Sequence, residues 1–383
     1  MHLIIIEPNA HNPGHYTEEL FQFCKHIIKY FEKISVITPF GFKEEWDDIS
    51  NCEVFKLLND PISNNSYLER SFHLLYGYQW EFFRCARRFI NSLHFREAIV
   101  HVWDYKSFFP VWFFLNNCKY QLIINLKTVH REQVAFGGSK FIGNIQGRIS
   151  KKLISRLGDK YIVHTPTVLT EAIQIGIPKR KIYNVGIGVE ENFKALDKLY
   201  SRKELNLPIH SFIILFFGVI REEKGIYEIL DHIKSIPENI ILFIVGENHL
   251  ANSLDKIINA HKLQNKVITK LLYIPEKELE IYFRASDAVL ICHQRKFKGE
   301  SGVFLKAIQY EIPTIADLES HSAKIIESDK VGALFDMLKP GDILIAIEFI
   351  KKNLTNIQYN LTELKKKKSW DVVTLIYNKI YFE

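Results

Sequence analysis

Short apolar runs alternate with amphipathic segments along most of this chain, and the alternation starts twice. The first series runs through Leu3 to Ile6, Ile34 to Ile37, Ala98 to Trp103 and Gln121 to Leu126, with a helical pattern from Glu18 to Phe31. Continuous runs rich in Ile, Val and Leu are the mark of strands buried on both faces, and parallel strands need helical crossovers between them. After residue 210 the series restarts with Phe212 to Phe217, Ile240 to Val245, Val267 to Leu272, Ala288 to Cys292 and Pro313 to Ala316. The expected fold class is therefore α/β, with two doubly wound Rossmann-like domains. At 383 residues, 47% of them hydrophobic, the chain has material for two cores. The turn-rich, polar stretch from Gly186 to Pro208 separates the halves, which gives domains at 1–190 and 209–369 with a hinge at 191–208. Ligands of such sheets bind beyond the carboxyl ends of the strands, so a cleft between the domains is the expected site.

Composition removes several alternatives. Fifty basic against 44 acidic residues leave a formal charge of +6, which does not mark a nucleic-acid binder but suits anionic ligands or membrane surfaces. No apolar run approaches the roughly 18 residues of a spanning helix, and the start of the sequence lacks the pattern of a secretory signal. A cytoplasmic protein is the expectation, at the inner face of the membrane if it touches one. Its five cysteines are scattered without zinc spacing and read as reduced and mostly buried. No Gly-x-Gly-x-x-Gly follows a strand, which argues against a nicotinamide-dependent dehydrogenase.

The densest chemical signal is Phe217-Gly-Val-Ile-Arg-Glu-Glu-Lys-Gly225. It leaves a strand candidate and enters a helical pattern marked by Ile226, Ile229, Leu230 and Ile233, placing Arg221 and Lys224 on a strand-to-helix loop. Free N–H groups at a helix N-terminus attract anions, and two cations beside them would hold a diphosphate. Taken alone, the loop reads equally well as a solvated surface turn.

The chain from about Tyr161 onward resembles the retaining GT-B glycosyltransferases of family four, also called glycosyl transferases group 1. The resemblance rests on an ordered series of segments. Tyr161 to Pro166, Gly176-Ile177-Pro178 and Lys181 to Val185 are similar to the last strands of that family's first domain, and Gly188-Val189-Glu190 to its interdomain turn. Gly218 to Gly225 resembles its Gly-Arg-x-x-x-x-Lys-Gly loop, and Val245-Gly246-Glu247 its Gly-Asp-Gly turn. Arg284 to Ala288, Ser301 to Ala307 and Ile312 to Ala316 follow in the family's order.

What the resemblance implies is a GT-B fold and transfer of a sugar, with retention, from a nucleotide diphosphate sugar to an acceptor hydroxyl. UDP- or GDP-sugars are the implied donors, a sugar or lipid-linked molecule the acceptor, and cell-surface glycan, polysaccharide or glycolipid synthesis the setting. No cofactor and no metal are implied, and the chain has no Asp-x-Asp triplet. Arg221 and Lys224 would stabilise the leaving diphosphate. Gly218, Glu247, Leu272, Ser301, Gly302, Val303 and Phe304 would surround the donor, with backbone N–H groups near Gly302 turned to the phosphates. His130, after the Gln121 to Leu126 strand, would contact the donor sugar together with Glu300, and Gly14 would form a flexible loop near the diphosphate. The C-terminal helix 370–383 would cross back onto the first domain.

Two departures from the family pattern concern three positions. Val219 stands where the family has its arginine, so Arg221 must reach in from two positions later. Lys306 stands where the ribose-binding glutamate belongs and Lys298 at the sugar-binding one, with Glu300 just beyond it; a charged lysine accepts no hydrogen bond from ribose but adds to a phosphate site. These departures motivate an alternative, a GT-B-shaped binding or scaffolding subunit that has lost catalysis. Two further features bear on the acceptor. Residues 140–157 place Ile142, Ile145, Ile149, Leu153 and Leu157 on one helical face flanked by Arg148, Lys151 and Lys152, which fits either a membrane contact or a helix packed on the sheet. The aromatic-rich region from Tyr67 to Phe114 reads as core in greater part and as a lipid or sugar groove in the rest.

Overall fold

The structure, a computed structural model, describes residues 1–9, 15–40, 46, 49–58, 78–105, 108–127, 149, 152–191, 195–250, 253–292 and 301–383. The chain divides into two compact units. The first is Met1–Ile187 with Trp370–Glu383, and the second is Gly188–Ser369.

Among the described residues the first unit holds a seven-stranded parallel sheet: β1 (His2–Ile6), β2 (Lys33–Thr38), β3 (Cys52–Lys56), β4 (Ala98–Val102), β5 (Gln121–Leu126), β6 (Lys160–Val163) and β7 (Ile182–Asn184). Their order across the sheet is β3-β2-β1-β4-β5-β6-β7, so the direction of winding reverses between β1 and β4. In β1, Ile4 and Ile6 enter one core while Leu3 and Ile5 enter the other, as the period of two requires. The C-terminal helix Trp370–Phe382 completes the second of these cores. Tyr377 packs on Phe23 at 4.8 Å, and Asp371 pairs with Lys29 at 2.9 Å. Tyr381 hydroxyl meets His101 Nδ1 at 2.6 Å, and the other nitrogen of His101 meets Asn125 at 2.8 Å.

The second unit repeats the plan with a six-stranded parallel sheet among the described residues: β8 (Phe212–Phe217), β9 (Ile240–Val245), β10 (Val267–Lys270), β11 (Ala288–Ile291), β12 (Thr314–Asp317) and β13 (Gly332–Phe335), ordered β10-β9-β8-β11-β12-β13. Here the winding reverses between β8 and β11. Residues 191–208, expected as the hinge, lie in the second unit, and their described part contains the Lys198–Glu204 helix. Asp197 caps that helix by accepting from Tyr200 N, and Arg202 ties it down through the Ala285 carbonyl and an ion pair with Asp287 at 2.6 Å. Polar composition there marks a capped, ion-paired helix.

Two strands fall outside the runs named from sequence. β3, at the sheet edge, mixes half-buried and exposed positions, and β13 is only four residues long and starts with glycine. Both lack the continuous apolar signature of a central strand. Of the two readings of 140–157, a membrane contact or a helix packed on the sheet, the described part, 152–157, fits the second. Ile154 belongs to the core of the first unit and Leu153 and Leu157 pack against it, so the apolar side is spent on the sheet. The rest of 140–157 lies outside the described residues, apart from the helical, exposed Ile149. Among the described residues no helix is long and apolar enough to cross a membrane.

Candidate functional site

In the second unit the chain leaves β8 at Phe217, and Gly218 takes φ +92. Its neighbour across the turn, Gly246 after β9, sits at φ +138, and a Cβ there would lie 2.2 Å from the Gly218 carbonyl oxygen. These two turns pass each other at backbone contact, which only glycine at 246 permits. Hydrogen bonds from Gly218 N to Val245 O at 2.9 Å and from Ile220 N to Glu247 O at 2.8 Å lock them together. A 3-10 turn, Glu222–Lys224, and the left-handed Gly225 then lead into the Ile226–Lys234 helix.

This geometry folds Lys224 back under the strand end. Its ammonium donates to the Phe217 carbonyl at 3.2 Å and lies 3.0 Å from where a Gly218 Cβ would be. Val303 stands 4.0 Å from the same spot, in the first turn of the Gly302–Gln309 helix that follows β11 in the chain. Ser301 caps this helix, its hydroxyl accepting from Phe304 N at 3.4 Å, and Gly302 and Val303 are half-exposed. Lys224, Gly218 and a helix N-terminus thus converge at the β8/β11 switch point.

The electrostatics follow from that placement. Burial pushes the Lys224 ammonium down to about 8, and the nearby Arg221 guanidinium adds to the effect. Among the described residues Lys224 has no carboxylate partner. Arg221 itself is exposed. Glu247 is exposed and lies 3.4 Å from His249, and Leu272, on the loop after β10, is 46% exposed.

Two expected donor contacts are placed differently. Phe304 is fully buried in the core and its N–H is taken by Ser301, so neither group is offered to a ligand. Lys306 forms an ion pair with Glu276 and lies 3.4 Å from Gln309 Oε1, so its charge is already matched within the protein. Gly14, His130 and Glu300, with Lys298 and His293, lie outside the described residues. Of the other histidines near strand ends, His101 is a core residue whose burial pushes it to about 3, and His164 bonds to the Val185 carbonyl at 2.8 Å.

Sequence reasoning passed over several polar residues at these strand ends. Glu228, one helical turn beyond Lys224, has a buried Oε2 without a hydrogen-bond partner among the described residues, 3.6 Å from a Cβ built on Gly225. In the first unit, Glu7 follows β1 and Asp104 follows β4, on either side of the reversal in that sheet. Asn9 joins them, its N–H donating to Glu7 at 2.7 Å and its amide to Asp104 at 3.1 Å. Burial and the Asp104 charge raise the Glu7 carboxyl to about 8, against the opposing pull of Lys127. Lys127 pairs with Glu19 at 3.3 Å. The available signal was position alone: each carboxylate lies just beyond a parallel strand at the switch point, where ligands of such sheets bind.

Residues 197–367 match the family described as glycosyl transferases group 1. The match lies within the second unit and covers less than half of the chain. Comparison with curated protein sequences gives no match. Among solved structures, sucrose-phosphate synthase from Thermosynechococcus elongatus aligns at a TM-score of 0.73 and 16% identity, covering 99% of this chain and 98% of that one. Anabaena Alr3699/HepE, in complex with UDP and glucose, aligns at 0.73 and 14%, covering 100% and 99%. The catalytic domain of starch synthase IV from Arabidopsis thaliana, bound to ADP and acarbose, aligns at 0.71 and 13%, covering 99% and 98%. At such identities the likeness is one of fold, and the fold is GT-B.

Proposed function

We propose that the chain transfers a sugar from a nucleoside diphosphate sugar to an acceptor hydroxyl. The observation that carries this reading is Lys224, a half-buried ammonium without a described carboxylate partner, set beside the Gly302 helix N-terminus. Such a group is costly in the free protein and finds its complement in an anion, and a departing nucleoside diphosphate develops negative charge where Lys224 can meet it. The group 1 match over the second unit and the UDP and ADP complexes of proteins with this fold support the same donor class.

In this reading Lys224 and the N–H groups at Gly302 and Val303 hold the diphosphate, and Arg221 adds charge from the rim. Gly14, His130 and Glu300 serve the donor sugar on the strength of the resemblance, and Glu228 offers a further acceptor oxygen for its hydroxyls. Transfer proceeds with retention, the leaving phosphate taking the acceptor proton, and neither metal nor cofactor is required. UDP or GDP carries the donor sugar, and a glycan or lipid-linked acceptor made at the inner face of a membrane is the setting. The Lys306–Glu276 pair favours a second reading, a non-catalytic subunit, because the position that the resemblance assigns to ribose recognition is already engaged.

Thermal unfolding against UDP, GDP, ADP, CDP and their sugar conjugates separates the two. A ligand at a hundred times its Kd stabilises the folded chain by about 2.7 kcal/mol. A selective rise in midpoint, lost in Lys224→Ala, together with turnover of the same donor, supports the transferase. A flat response throughout supports the subunit.

A further inference from the structure

At the β13 edge of the second sheet lies a cavity of about 630 Å³, lined by β13, the Ala323–Asp329 helix and the long Asp342–Lys367 helix. Small-ligand sites run from about 300 to 1,000 Å³. None of its lining residues belongs to the Lys224 site. Ile345, Phe349, Asn353, Asn356 and Asn360 follow one another at steps of three and four, so one face of the long helix supplies a whole wall. That wall changes character along its length, from the exposed apolar Ile345 and Phe349 to a run of three amides. Leu318, just past β12, adds another apolar side chain, 52% exposed.

Two of the amides are held in place. Asn353 departs from helical geometry at φ −112 and ψ 15, and its Nδ2 donates to the Phe349 carbonyl at 2.8 Å. Asn360 Nδ2 donates at 3.1 Å to the carbonyl of Lys330, itself in the left-handed region at φ +52. A carbonyl only accepts, so both amides are oriented with Oδ1 left to accept from a ligand. Among the described residues Asn356 has no hydrogen-bond partner, and the exposed Glu327 and Lys330 make no ion pair.

We propose that this cavity binds a short stretch of a neutral glycan, its C–H faces against Phe349 and Ile345 and its hydroxyls on Asn353, Asn356 and Asn360. One carboxylate and one ammonium in the lining cancel, so neither an anion nor a cation is favoured. An acyl chain would strip water from three amides and return no hydrogen bond. An added peptide strand finds little main chain to pair with, because Gly332, which is all backbone, is buried in β13. A sugar ring carries both an apolar face and a rim of groups that donate and accept, which matches an apolar wall ending in amides. Binding here does not require that the chain transfer a sugar.

Isothermal titration of the full chain with malto-, cello-, laminari- and mannohexaose tests the site without any transfer step. Wild type is expected to bind at least one of them. Asn356→Ala and Phe349→Ala should each weaken that binding by on the order of tenfold, the scale of two neutral hydrogen bonds or of one uncovered apolar face. Tyr359→Ser, at an aromatic residue 68% exposed on the same helix but outside the cavity, should change nothing. Lys224→Ala should keep the oligosaccharide while losing nucleoside diphosphates, which separates failure of this site from failure of the donor site. An unchanged unfolding midpoint certifies each variant, and Phe349→Leu stands in if the alanine disturbs the fold. No binding of any hexaose by wild type, undiminished binding by both cavity variants, or uptake of the apolar dye anilinonaphthalene sulfonate in the cavity without competition from any hexaose would overturn the proposal.

Discussion

The two sheets reverse their winding at equivalent places, yet the residues beyond those strand ends carry opposite charge. Beyond β8 and β11 the second unit sets Lys224, Arg221 and a helix N-terminus. Beyond β1 and β4 the first unit sets Glu7 and Asp104, bridged by Asn9. Topology therefore fixes where a site lies and leaves its chemistry to the first few residues past each strand. A positive switch point suits a diphosphate. A pair of carboxyls, one of them raised to about 8, suits hydroxyl groups, since it can accept and donate hydrogen bonds.

The largest expected effect comes from removing the positive centre. Lys224→Met should cost at least ~100-fold in nucleoside diphosphate affinity, the scale of a charge-assisted contact in a partly buried site. The same variant should unfold no more easily than wild type at neutral pH. Folded Lys224 gives up its proton near 8, against 10.5 for the free group, so the unfolded chain binds the extra proton between those values and stability rises with pH there. Below 8 the buried charge is a standing cost, of order 1 kcal/mol after solvent screening. Diphosphate binding should reverse the shift, so affinity falls as pH rises through 8 and binding takes up protons, which calorimetry in buffers of different ionisation enthalpy measures. Affinity independent of both Lys224 and pH would move the anion site elsewhere.

Gly246→Ala tests whether the positive site depends on its backbone frame. The added carbon meets the Gly218 carbonyl at 2.2 Å and φ is +138, so the turn must open. We expect a loss of roughly 2–4 kcal/mol in denaturant unfolding, with donor affinity falling along with it. No counterpart exists in the described strand ends of the first unit, where Glu7 and Asp104 are held by side-chain and N–H contacts.

The contrast also explains what was legible beforehand. Central strands such as β8 and β9 announce themselves as unbroken apolar runs, and the loop from Gly218 to Gly225 as glycines and cations at fixed spacing. Side-chain direction was not legible. Whether Lys306 faces a phosphate or Glu276, and whether Phe304 faces a ligand or the core, depends on helix rotation and on partners far away in sequence. Glu7 was silent for a related reason: a single carboxylate after a strand looks like a solvated loop residue until Asp104 and Lys127 are brought beside it.

Glu7→Gln examines the negative switch point. With a folded value near 8 and an ordinary value of 4.5, folded Glu7 holds a proton that the unfolded chain has lost between those limits. Its contribution is fully present below 4.5 and is lost as pH rises through 8. An amide mimics the protonated carboxyl, so Glu7→Gln should flatten the fall in stability from pH 5 to 8 and raise stability at the upper end by ~1–2 kcal/mol. A slope equal to wild type would mean that Glu7 ionises normally and that the first unit's switch point is a plain anionic surface.

The smallest effect is expected at Lys306, and it decides how local the positive site is. Its ammonium is matched by Glu276, and both side chains are mostly covered, at 19% and 27% exposure. Lys306→Gln should therefore lower stability by about 1 kcal/mol, as for a partly exposed ion pair, and change diphosphate affinity by no more than roughly threefold. If Lys306→Gln instead weakens nucleoside diphosphates as much as Lys224→Met, the ion pair opens on binding and the positive centre extends a full helical turn below Gly302. If Lys306→Gln instead tightens only the nucleotides that carry ribose hydroxyls, Glu276 is the group released, and a carboxylate then works inside the positive site, which would blur the division of charge between the two units.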